Sequence, residues 1–78
     1  MRVKKRCMVL TFHTTTDAMA MEKKCREWEI PGRLIPVPRD ISAGCGLAWK
    51  MLYDDYEVYG TGIDNLAIPF QEKVELWL

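Results

Sequence analysis

Apolar positions along the chain follow two rhythms, and the change from one to the other marks out six elements. Residues 7–12 are almost continuously apolar, the pattern of a strand covered on both faces in the middle of a sheet, and this is β1. Thr14 then stands three residues before Asp17, a capping-box spacing in which each side chain can satisfy a free amide of a first helical turn. Ala18, Met21, Cys25 and Trp28 recur at steps of three and four, with Glu22, Lys23, Arg26 and Glu27 on the other side. They predict a helix α1 that starts at residues 14–17 and ends near Glu29, because Pro31 and Gly32 cannot continue it.

Residues 33–37 read as a strand β2. Pro36 lacks an amide proton, so β2 belongs at a sheet edge. A loop over 38–44 leads to 46–52, where Leu47, Trp49 and Met51 alternate with Ala48 and Lys50 as strand β3. Tyr56, Tyr59, Ile63 and Leu66 keep a helical spacing, but Gly60 and Gly62 each weaken a helix by up to about 1 kcal/mol relative to alanine. The second helix, α2, is therefore expected to be short or irregular. After Pro69, Val74, Leu76 and Leu78 alternate with Lys73, Glu75 and Trp77 as a terminal strand β4.

The order βαββαβ predicts an α+β, ferredoxin-like two-layer sandwich, with two helices on one face of an antiparallel sheet of order 4-1-3-2. The continuously apolar β1 in the centre and the proline-bearing β2 at an edge agree with that order. All of residues 1–78 form one domain.

Composition narrows the function classes. Of 78 residues, 49% are apolar and 28% charged, which suits a small soluble domain with a thin core, either a monomer or a homodimer. No run reaches the roughly 18 apolar residues of a membrane span, and the basic start leads into an apolar stretch too short for a signal peptide. The three cysteines, Cys7, Cys25 and Cys45, are odd in number and widely spaced, which points to a reducing cytoplasm rather than a disulfide framework. With no C-x-x-C and a single histidine, His13, the chain offers no zinc set, and no metal or other resident cofactor is expected. The 11 basic and 11 acidic groups cancel, yet residues 1–50 carry +5 and residues 51–78 carry −5. That split fits complementary faces attracting each other better than a nucleic-acid surface, which would be net basic.

The predicted topology gathers one set of chemical groups. The end of β1 with His13, the amino end of α1 with Thr14, the loop with Arg39 and Ser42, and Cys45 at the start of β3 all fall at one end of the sheet. A thiol there could be activated by a helix amino terminus and by Arg39, with His13 as a further contributor. Gly44 and Gly46 on either side of Cys45 leave room for a partner's sulfur and could present backbone amides to an anion. The competing reading makes Cys45 a structural turn residue. Cys7 and Cys25, on a buried strand and an apolar helix stripe, read as core, as do Trp28, Trp49 and Trp77, although an exposed tryptophan would point to a dimer face.

Thr11, Phe12, His13, Thr14, Ala18, Glu22 and Lys23, then Ile30, the run at 33–39, Ile41, Ser42 and the run at 45–48 form a recognisable pattern. It resembles the family of small bacterial and archaeal proteins described as selenium/sulfur carriers, most densely between Ile30 and Ala48. The resemblance implies that Cys45 holds sulfur or selenium as a persulfide or selenopersulfide, between a donor such as a cysteine desulfurase and an acceptor protein. On matching positions, Arg39 and Ser42 would hold the anionic sulfur or orient the loop, and His13 and Thr14 match as well. Two other classes stay in view: a ferredoxin-like binding or regulatory module with a structural Cys45, and a redox sensor needing a resolving thiol from another chain.

Overall fold

The computed structural model describes residues 3–41 and 45–78. The elements run β1 (Arg6–Thr11), α1 (Thr15–Glu27), β2 (Arg33–Pro36), β3 (Leu47–Leu52), α2 (Tyr53–Asn65) and β4 (Glu72–Trp77). The strands form one antiparallel sheet in the order β2-β3-β1-β4, the expected order read from its other edge. This is an α+β, ferredoxin-like βαββαβ sandwich.

Strand register separates the two faces. Met8 and Leu10 of β1 stand opposite Met51 and Trp49 of β3, and Trp49 opposite Leu34 of β2. These side chains meet Ala18, Met21 and Cys25 of α1 and Ile63 of α2 in the main core. Cys7, Val9 and Thr11 alternate onto the helix-free face with Ala48, and all four are fully buried. The Thr11 hydroxyl accepts from the Glu72 amide at 3.0 Å, which pins the first residue of β4 to the last of β1.

α1 is capped where the spacing predicted, because the Thr14 hydroxyl accepts from the Asp17 amide at 3.1 Å. Among the described residues, the return bond from the Asp17 carboxylate is not made, so half of the box is used. The helix stops at Glu27, earlier than Glu29, since Glu29 takes a positive φ of 55° and the Ile30 amide reaches back to Cys25 O at 2.8 Å.

Two expectations are corrected. Trp28 and Trp77 are 68% and 62% exposed, leaving Trp49 as the only core tryptophan. Trp28 is the C-cap residue of α1, its amide still donating to Lys24 O at 3.0 Å, and it lies beyond Cys25, the last buried residue of the helix. Trp77 lies near the end of β4, an outer strand of the sheet. The second correction is α2, which is neither short nor irregular: it runs for 13 residues through both glycines. Gly60 packs under the Tyr56 ring one turn earlier in the same helix, and Gly62 faces the Ile30 side chain across the core, so packing outweighs weak helix propensity. Asp54 and Asp55 in its first turn complement the helix dipole where no side-chain cap is present.

Candidate functional site

The last paired residues of the central strands define one end of the sheet. Thr11 stands opposite Ala48, and Leu47 opposite Pro36, so the chain beyond them carries His13, Thr14, Arg39, Cys45 and Gly46 off that end. The Val37 amide donates to Gly46 O at 3.0 Å, extending the β2–β3 pairing by one step and fixing Cys45 just outside it. Gly46 has a φ of +77°, which an L side chain rarely adopts, so a glycine is needed to turn the chain from Cys45 into β3. Arg39 lies in a turn closed by the Ile41 amide donating to Pro38 O at 3.1 Å.

The three thiols differ sharply in access. Cys7 and Cys25 are buried, and only Cys45 is partly open to solvent. Cys25 donates to the Met21 sulfur at 3.6 Å, and burial pushes its thiol up to about 11. It is therefore held in its protonated, unreactive form. The Cys45 thiol donates to Leu47 O at 3.4 Å, while its side chain rests against the edge of the main core.

Among the described residues, neither Arg39, His13 nor the amides at the start of α1 donates to the Cys45 sulfur. His13 and Arg39 are both exposed, with no side-chain partner among the described residues, and Thr14 is engaged as the helix cap. Ser42 and Gly44 lie outside the described residues. The expected gathering at one end of the sheet is thus present for Cys45, Gly46, His13, Thr14 and Arg39, without the direct contacts that would activate the sulfur. The acceptor that does hold the thiol, the Leu47 carbonyl, is a backbone group and has no signature in the sequence.

Among the described residues, no helix is long and apolar enough to cross a membrane, and no group of three or more His, Cys, Asp or Glu could hold a metal ion. A family model described as "Putative Se/S carrier protein-like" matches residues 7–75, from the first buried residue of β1 into β4. No curated protein and no solved structure matches the chain.

Proposed function

The chain belongs to this selenium/sulfur carrier family, and on that premise we propose that Cys45 is its carrier thiol, accepting a sulfane sulfur or selenium atom from a donor protein and passing it to an acceptor. The observation that supports the reading is burial: of three cysteines inside the matched region, Cys7 and Cys25 are buried and Cys45 alone is partly exposed.

The exchange is a displacement at sulfur. The Cys45 thiolate attacks the terminal sulfur of a donor persulfide, R–S–SH, forming the Cys45–S–SH persulfide and expelling the donor thiolate R–S⁻. A sulfur–sulfur bond forms as another breaks, so no external oxidant or reductant is needed and the cargo is substrate rather than resident cofactor. An acceptor thiolate repeats the step on Cys45–S–SH and regenerates the thiolate. Before attack the sulfur must turn away from Leu47 O, since in that hydrogen bond it is the protonated donor. Arg39, exposed on the neighbouring turn, and Ser42 would then hold the anionic sulfur. The glycines at 44 and 46 would admit the partner, and His13 and Thr14 would order the neighbouring chain. The setting for this exchange is a reducing cytoplasm, with a cysteine desulfurase as the class of donor.

The rival reading, a binding module with Cys45 as a turn residue, draws on the same hydrogen bond to Leu47 O. Intact-protein mass spectrometry separates them, after incubation with a cysteine desulfurase and cysteine under non-reducing conditions. The carrier reading expects a gain of one sulfur atom that a thiol reductant reverses and that is absent from Cys45→Ser. No gain in the parent protein, or an equal gain in the variant, overturns it. Selenium against sulfur is then decided by competition for the same thiol.

A further inference from the structure

The face of the sheet that the helices leave open is apolar on every strand. Cys7 and Val9 of β1 and Ala48 of β3 alternate onto it, away from the core residues Met8, Leu10 and Trp49. β4 follows the same pairing, with Val74 opposite Val9 and Leu76 opposite Cys7, so its apolar stripe lies on the open face. Its polar residues go to the other side, where Lys73 donates to the Tyr56 hydroxyl of α2 at 2.6 Å. An antiparallel sheet with one solvated face shows the reverse, apolar side chains toward the helices and polar ones toward water. Around the buried Cys7, Val9 and Ala48, the side chains of Ile35, Val74 and Leu76 are half-buried and Leu52 is 39% exposed.

The charges on this face are sorted by strand. Arg33 of β2 and Lys50 of β3 stand directly opposite each other, and Glu72 stands on β4, with β1 between the two sets. Like charges paired across strands are unfavourable, so an anion set against Arg33 and Lys50 is a gain. Among the described residues none of the three side chains makes an ion pair or hydrogen bond. Lys5, paired with Leu78, lies at the rim beyond the strand.

We propose that the open face is the contact between two copies of this chain, stacked sheet against sheet about a two-fold axis that runs along the strands between β1 and β3. That axis lays β4 of one copy across β2 of the other. The Glu72 of each copy then faces the Arg33 and Lys50 of the other, while Ile35, Leu52, Val74 and Leu76 close the apolar centre. The contact is self-complementary because each copy offers cations along one side and an anion along the other. With 11 basic and 11 acidic groups, the chain has no net charge to hold two copies apart. The proposal does not rest on the carrier reading, since Cys45 lies outside the paired strands.

Analytical ultracentrifugation of the full chain, from micromolar to millimolar concentration, is expected to show a species of twice the 9.1 kDa chain mass. Glu72→Arg sets a cation against Arg33 and Lys50 and should weaken the dimer about tenfold, and Arg33→Glu should weaken it as well. The two substitutions in one chain should restore it. Within a copy β3 and β1 separate these residues, so only the other copy brings them together. Both positions are exposed, and circular dichroism verifies the fold of each variant. A monomer throughout the range overturns the proposal and leaves the face to a different protein. A dimer that neither substitution weakens, or that the pair does not restore, overturns it as well.

Discussion

Gly32 shows how one missing methyl group controls a tertiary contact. A Cβ at this position would stand 2.5 Å from Trp49 Cζ2 and 2.8 Å from the backbone oxygen of Lys50, and its φ of +143° strains any L side chain. Neither obstacle yields cheaply, since one is the core tryptophan and the other belongs to β3. Gly32→Ala is expected to cost about 2 kcal/mol or more of folding stability, measured by denaturant unfolding. Cys25 gives a second residue-level expectation, in pH rather than in shape. Burial pushes its thiol up to about 11 in the folded chain, from an ordinary value of 9.0. Below about pH 9 both states hold the proton and the contribution is complete. As pH rises toward about 11 the unfolded state loses its proton first, so stability falls. The parent protein should lose on the order of 2 kcal/mol more than Cys25→Ala between those limits, with tyrosine and lysine titrations common to both.

Among the elements, the strand order was legible because two local features constrain it independently: an apolar run that needs cover on both faces, and a proline that needs an edge. The extent of α2 was not legible, because glycine propensity is a weak local cost and the packing that outweighs it comes from Ile30, 32 positions away from Gly62 in sequence. The two glycines are not equivalent. At Gly62 an added Cβ would meet Ile30 Cδ1 at 3.8 Å, an ordinary contact, whereas at Gly60 it would press on Tyr56 Cζ at 3.4 Å. Gly62→Ala should therefore raise stability by about 0.5–1 kcal/mol, seen as a higher denaturant midpoint, and Gly60→Ala should gain less. The candidate site divides in the same way. Cys45 stands out in sequence through its flanking glycines and the pattern around it, but the Leu47 carbonyl that holds its thiol does not. That the buried Trp49 indole N–H finds no acceptor among the described residues was equally hidden, because hydrogen-bond satisfaction is a property of the folded surroundings.

Across the whole molecule, one ion pair among the described residues joins the basic residues 1–50 to the acidic residues 51–78, at the β1–β4 seam. Arg6 donates from Nε and a terminal nitrogen to the Glu75 carboxylate at 2.7 and 3.0 Å, and its guanidinium lies 3.6 Å over the Tyr53 ring. The hydrogen bond to Arg6 holds the Glu75 carboxyl below its ordinary range, and the Glu75 carboxylate raises the Arg6 guanidinium. The pair remains exposed to water, so it aligns the two strands more than it stabilises them. The same seam continues past Arg6 and Trp77, where Lys5 and Leu78 exchange backbone hydrogen bonds, each at 2.9 Å. Residues 5 and 78 are thus already held side by side, at the end of the sheet away from Cys45. A reporter attached at this seam therefore sits at the far end of the sheet from Cys45, clear of a protein that approaches the thiol.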